Sequence, residues 1–328
     1  MSDTQIFDRV AIIGIGLIGS SVALALRANG LAGHVACHDA DADVRARADA
    51  LDIVDSMHAD IAGAVDGADL VVVATPVGAC GAVAEAMGAH LKPGAIVTDV
   101  GSVKGSVITA MTPHIPEGVH LVPGHPVAGT EHSGPESGFA DLFQNRFSIL
   151  TPPPGANADA VATLSRLWQG MGSDVEVMDA EHHDRVLAIT SHLPHLIAYT
   201  IVGTAADLET ELEAQPRDDE VVTTREVIKY SAGGFRDFTR IAASDPVMWR
   251  DVFLLNKDAV LEMVGRFTED MTALQSAIHD DDGDALFELF SRTRDIRRGV
   301  IEARQAGGFQ YTENGKPSDD ENGEEGDA

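Results

Sequence analysis

The stretch "AITSHLPHLIAYT" (188–200) sets His192 and His195 three residues apart in an otherwise apolar run. Three or four residues make one helical turn, so both imidazoles belong on one helix face. Histidine, with an ordinary pKa of about 6.5, accepts a proton at neutral pH. Oxidation of an alcohol needs such a group at the hydroxyl while a hydride leaves the carbon. A metal pair is the competing chemistry, but zinc needs a third ligand and "SHLPH" is not H-E-x-x-H. His182 and His183 are adjacent, point in different directions, and read as first-turn surface groups after an Asp179 cap. Pro194 has no N–H for the Thr190 carbonyl, which predicts a kink that turns this face toward a cleft.

A second set of residues points to a dinucleotide. "GIGLIG" places Gly14, Gly16 and Gly19 in a G-x-G-x-x-G pattern, directly after a strand-like run and at the opening of a helix. Gly14 permits the tight turn, Gly16 lets backbone approach a pyrophosphate, and Gly19 allows close helix–strand packing. The helix start at Leu17 and Ile18 offers free N–H groups to phosphate. Asp39 lies twenty residues past Gly19, where a carboxylate holds the ribose 2′-hydroxyl of NAD. Ala40 and Asp41 follow, which favours NAD over NADP, although Arg45 keeps NADP as the alternative.

Ligands of such sheets bind beyond the carboxyl ends of the strands. Those ends carry "ATPV" (74–77) with Thr75 and Pro76, "DVGSVKG" (99–105) with Ser102 and Lys104, and "GHPVAGTEHSG" (124–134) with His125, Thr130, Glu131 and His132. For Lys104 and His132, turn chemistry and function stand about equal. Further on, "GGFRDFTRIAASDPVMWRD" (233–251) spaces Arg236, Arg240 and Arg250 helically, with Phe235, Phe238 and Trp249 between them. A solvated helix with Asp237 ion pairs is one reading; a guanidinium fork for a substrate carboxylate is the other.

The elements that would position these groups change character partway along the chain. Up to about residue 178, short apolar runs (9–14, 34–39, 70–76, 95–101, 120–126, 146–152, 174–179) alternate with helical segments (18–29, 42–50, 79–91, 103–113, 157–171). That alternation implies a parallel sheet covered on both faces. Residues 180–305 read as helical throughout, with long helices over 244–274 and 283–304. The expected fold is therefore α/β plus all-α: a Rossmann domain (1–178), a helical substrate and dimerisation domain (179–306) and an acidic disordered tail (307–328).

The chain has 328 residues and a net charge of −29, which argues against nucleic acid as a partner. Its apolar runs read as too short to span a bilayer, and no secretory leader opens it. Two cysteines, Cys37 and Cys80, fit a reducing cytoplasm.

Taken together, "GIGLIGSS", "DVGSVKG", "GHPVAGTEHSG", "SHLPH" and "GGFRDFTRIAASDPVMWRD" resemble the prephenate dehydrogenase family, which includes arogenate and cyclohexadienyl dehydrogenases. The resemblance covers most of residues 9–255 and implies NAD(P)-dependent oxidative decarboxylation in tyrosine biosynthesis by a homodimer. By motif, it implies that His192 takes the ring 4-hydroxyl proton as hydride leaves C4. It likewise implies that Ser102 orients that hydroxyl, and that His125 lies between nicotinamide and substrate. Arg240 would bind a substrate carboxylate, with Glu131, Asp237 and Trp249 shaping the pocket. Thr130 and Ser191, in the same motifs, are counted among the substrate-binding residues.

Two rivals stand beside this reading. A β-hydroxyacid dehydrogenase would use a helical lysine, and residues 180–228 contain none. A non-catalytic NAD sensor would have no use for His192, Ser102 and Arg240 together. The choice between prephenate and arogenate stays open. No mutase segment precedes the Rossmann domain and the tail is too short for a regulatory domain, so tyrosine feedback is expected at or near the active site.

Overall fold

The computed structural model describes residues 4–213 and 232–302. Residues pack into two compact units, one up to Gly265 and one from Arg266 onward. The expected tail lies outside the described residues.

In the first unit, six parallel strands form one sheet in the order β3-β2-β1-β4-β5-β6. They are β1 (Phe7–Ile13), β2 (Ala32–His38), β3 (Ser56–Met57), β4 (Leu70–Val73), β5 (Ile96–Asp99) and β6 (His120–Leu121). Side chains alternate between faces along a strand. Val10 and Ile12 accordingly join one core with Val35, Leu70 and Val72, while Ala11 and Ile13 join the opposite core with Val71, Val73 and Val97. This buried α/β sheet is the expected Rossmann arrangement.

The helices on the sheet are α1 (Leu17–Ala28), α2 (Ala42–Ala50), α3 (Ile61–Val65), α4 (Cys80–Gly88) and α5 (Lys104–Met111). Asp41 caps α2 and Asp60 caps α3, each accepting main-chain N–H groups of the first turn. Neither α1 nor α5 has a cap from its own N-cap side chain. Those two ends lie beside the site.

The run 120–126, read as a single strand, divides into β6 and β7 (Gly124–Pro126), which belong to different sheets. Pro123 has no N–H with which to continue a ladder. Its carbonyl instead accepts Thr151 N–H at 2.9 Å. β7 pairs antiparallel with β8 (Phe147–Leu150), and β8 pairs parallel with β9 (Asp174–Val177). Between them α6 (Ala158–Gly170) carries Leu164, Leu167 and Trp168 into the core.

A buried ion pair fixes where β7 begins. Lys104 Nζ bonds Asp99 Oδ2 and, at 2.7 Å, the Gly124 carbonyl; both side chains are fully buried. Asp99 also accepts Gly101 N–H at 2.8 Å and Gly124 N–H at 3.2 Å. Lys104 is thus a structural group.

The helical segment opens with α7 (Ala180–Leu187), capped by Asp179 as expected. It passes through a π-turn (Ala188–His192) into α8 (Leu193–Glu213). Pro194 therefore produces no break. The π-turn, in which Leu193 N–H reaches back to Ala188 O, widens the helix ahead of the proline ring. Ala180–Glu211 consequently forms one continuous helix of 32 residues with mean hydropathy 1.4 along its most apolar stretch. By length and composition that is enough to cross a bilayer, where the sequence reading found no such run. Its fully buried His183 and His192, however, are packed inside this unit.

After α9 (Gly233–Thr239), the segment read as one helix over 244–274 divides into α10 (Pro246–Leu255) and α11 (Lys257–His279). The break is at buried Asn256, with φ −105° and ψ 33°. Trp249 and Val252 of α10 enter the core that covers one face of the sheet. The second unit contains the end of α11 and α12 (Gly283–Glu302). It exposes Met271, Ile278, Phe287, Phe290 and Ile296.

Lys104→Met would leave the Asp99 carboxylate sealed in the core with only main-chain donors. Urea unfolding should show a loss of about 3–5 kcal/mol. Adding Asp99→Asn should recover part of that loss.

Candidate active site

The glycine turn is shaped by what surrounds it. Gly14 has φ +99°, its N–H bonds His38 O at 2.8 Å, and a Cβ there would lie 2.6 Å from Ala74 O. A Cβ on Gly19 would lie 2.0 Å from Gly14 O. Around Gly16 the opposite holds: among the described residues no atom lies within 4 Å of where a Cβ would stand. Beside that open space, α1 begins at Leu17 and Ile18 with no side-chain cap. Open room and uncapped N–H groups fit a pyrophosphate.

Asp39 Oδ2 accepts Ile15 N–H at 2.9 Å, which ties the end of β2 to the turn; its lone pairs leave room for a ribose hydroxyl. Arg45 donates to the carbonyls of Asp39 (2.6 Å) and Ala40 (3.2 Å). Ala74 packs on Gly14, which places Thr75 and Pro76 directly after that contact.

Gly16→Ala should therefore fold with an unchanged melting temperature while weakening NAD binding by about tenfold or more. Gly19→Ala should lower the melting temperature itself. Thermal melts and NAD titration by fluorescence separate the two.

The second part of the site is a hydrogen-bond network around Asp184 of α7. Asp184 Oδ1 accepts Lys104 N–H at 2.8 Å and Oδ2 accepts Gly105 N–H at 2.9 Å, so the carboxylate caps α5 from outside. Oδ1 also bonds His183 Nδ1 at 2.8 Å. His183 Nε2 lies 2.9 Å from His125 Nδ1. On the other side, Asn256 Nδ2 donates to the Asp184 carbonyl at 2.8 Å and contacts His192 Nδ1 at 3.1 Å.

Burial pulls the Asp184 carboxyl upward, yet bonds from His183, Lys104 N–H and Gly105 N–H hold it below the usual carboxylate range. Burial, reinforced by His183, Lys104 and His192, pushes His125 well below the ordinary histidine value. Burial takes His192 down to about 4, against an opposing pull from Asp184 and the Ser102 main chain. Both imidazoles are neutral at physiological pH.

His183 was expected at the surface. It is fully buried and is the link between Asp184 and His125. His192, the expected proton acceptor, already has one ring nitrogen engaged. Its ring is fully enclosed, its Nδ1 receives an amide N–H, and its Nε2 is buried with no hydrogen-bond partner among the described residues.

A third group borders the network. The His195 ring stacks on Trp249 at 3.6 Å and 23°, and its Nδ1 donates to the Ser191 carbonyl at 2.8 Å. Trp249 meets His192 edge-on, with ring centres 6.1 Å apart. Arg240 pairs with Glu131 at 2.8 Å, which joins the loop after β7 to the helical segment. Thr130 Oγ1 accepts His132 N–H at 3.2 Å within that loop. Arg236 and Asp237 are exposed, and Arg250 pairs with Asp251.

The structure thus gathers Ser102, His125 and His192 at one locus and links Glu131 with Arg240. It adds His183, Asp184 and Asn256, which sequence reasoning missed. "HHD" at 182–184 was the available signal. The π-turn hid it, since buried positions 183, 187 and 192 are four and then five residues apart.

Fold and site define a dinucleotide-binding protein whose helical segment packs a buried histidine network against a Rossmann sheet. Two family models match it: "Prephenate dehydrogenase, nucleotide-binding domain" over residues 22–177 and "Prephenate dehydrogenase, dimerization domain" over residues 179–292. The chain belongs to the prephenate dehydrogenase family. It is 44% identical over 292 residues to cyclohexadienyl dehydrogenase of Zymomonas mobilis, covering 89% of this chain and 96% of that one. It is 32% identical to prephenate dehydrogenase of Bacillus subtilis, covering 90% and 77%. Among solved structures, prephenate dehydrogenase from A. aeolicus in complex with hydroxyphenyl propionate and NAD+ superposes with a TM-score of 0.79. That pair is 32% identical, with 89% of this chain and 98% of that chain covered.

Proposed function

We propose that this protein is an NAD-dependent cyclohexadienyl dehydrogenase that oxidatively decarboxylates prephenate, arogenate or both. The observation that carries the reading is His125, a neutral imidazole at the end of the Rossmann unit whose Nδ1 is held by His183. The near-full-length likeness to the Zymomonas mobilis enzyme supports the substrate class.

Gly16 and the α1 N-terminus hold the cofactor's pyrophosphate, and Asp39 its ribose. Bound NAD supplies the hydride acceptor. The reaction is proton-neutral: hydride leaves C4, the C1–carboxylate electron pair aromatises the ring, and the 4-hydroxyl ends as a phenol. His125 Nε2 accepts the hydroxyl hydrogen while positive charge builds at that carbon, and returns it as carbon dioxide departs. The Ser102 loop borders that position, and Arg240 anchors a substrate carboxylate with Glu131 limiting its reach. His192 lies beside the Ser102 main chain.

The enzyme acts as a homodimer through its helical region. The matched dimerization-domain model supports this, as do exposed Leu208 and Leu261 in the first unit and exposed Phe287, Phe290 and Ile296 in the second. Free, buried Cys37 and Cys80 are in keeping with a cytoplasmic enzyme.

Absorbance at 340 nm should rise when NAD and prephenate or arogenate are added; silence with both substrates would overturn the reading. The ratio of kcat/KM for the two substrates assigns the preferred side chain. His125→Asn should lower kcat by about 10²–10⁴, and His192→Asn by less. The reverse order would return the acceptor role to His192. Because the His125 pKa is lowered and its neutral form does the work, kcat/KM should stay level as pH falls through about 6.5 and decline only below it. Light scattering should report a dimer that Phe287→Ser with Phe290→Ser converts to monomer.

A further inference from the structure

We infer that Asp184, His183 and Asn256 are positioning residues that impose opposite tautomers on the two site histidines, making His125 an acceptor and His192 a donor. This rests on the dehydrogenase reading above and names residues that set its polarity.

Each step follows from which atoms carry hydrogen. A carboxylate only accepts, so the 2.8 Å bond to Asp184 Oδ1 requires the proton on His183 Nδ1. A neutral imidazole then presents a lone pair at Nε2. That lone pair lies 2.9 Å from His125 Nδ1, which must therefore bring the hydrogen. The His125 lone pair is left at Nε2.

The second branch runs the other way. Asn256 makes both contacts through Nδ2, and the 2.8 Å bond to the Asp184 carbonyl fixes that atom as the amide nitrogen. Its other hydrogen meets His192 Nδ1 at 3.1 Å, so the His192 proton sits on Nε2. That nitrogen is buried beside the Ser102 main chain, with no acceptor in ordinary hydrogen-bond geometry among the described residues.

One residue directs both branches, the first through its side chain and the second through its carbonyl. Asp184 is itself immobilised by the N–H groups of Lys104 and Gly105. Among the described residues, the groups that face His125 are His183, His192 and the Lys104 ammonium, and the last is neutralised by Asp99. When His125 takes a proton at Nε2, its Nδ1–H stays on His183, and Asp184 stabilises the new charge through that ring. No second transfer is required.

The test is ¹⁵N NMR of histidine-labelled full-length protein, with His125→Asn and His192→Asn spectra for assignment. Wild type should show His125 as the Nδ1–H form and His192 as the Nε2–H form. His125 with its proton on Nε2, or His192 with its proton on Nδ1, overturns the inference even if turnover with NAD and prephenate is normal. Absence of that turnover would instead overturn the dehydrogenase reading. Asp184→Asn should cost kcat roughly 10²-fold, shift the acid limb of the pH profile, and leave NAD affinity unchanged. An unaltered kcat and pH profile would count against the pair. If that variant fails to fold through loss of the α5 cap, His183→Gln, which leaves the cap in place, carries the same kcat and pH readouts.

Discussion

The site depends on one carboxylate. Asp184 accepts the first two N–H groups of α5, orients His183 and, through its own carbonyl, orients Asn256. These bonds join the dinucleotide fold to the helical segment beside the two site histidines. A helix start with unpaired N–H groups is an electropositive end. At α1 that end is left open for a ligand, whereas at α5 it is filled by Asp184. The same physical feature is thus proposed to hold the cofactor in one place and is used for anchoring in the other.

Charge is deployed in a similarly local way. With a net charge of −29, an anionic substrate is repelled at long range, although salt screens that field beyond ~8 Å. Three cations near the site, among the described residues, are engaged: Lys104 by Asp99, Arg45 by two carbonyls, and Arg240 by Glu131. Lys104 is fully buried and sets where β7 begins, so its ammonium is a structural charge and not a substrate anchor. Arg240 remains half-exposed, at 57%, and its fork can add a carboxylate to the one it already holds.

Pro194 shows how a local signal gains its meaning from packing. A proline within a helix removes one hydrogen bond and crowds the preceding turn. Here the helix absorbs it through the π-turn over Ala188–His192 and continues for several turns. The added residue rotates His192 into the core beside Trp249 and leaves His195 stacked on the same indole. Two histidines three apart thus have different surroundings, one sealed and one stacked on Trp249.

What the sequence by itself determined is the set of parts whose physics is local. Strands such as "RVAIIG" are apolar on both faces, so a covered parallel sheet follows. Gly14 and Gly19 tolerate no side chain for reasons that the motif states in advance. Asp179, and Asp245 with Pro246, start helices wherever they stand. Only the tertiary structure decided which imidazole carries a usable lone pair. That depends on His183 and Asp184, 58 and 59 residues from His125 in the chain, and on Asn256, 64 residues from His192. A tautomer is fixed by the partner on the other ring nitrogen, and periodicity does not disclose a partner that folding brings from another element.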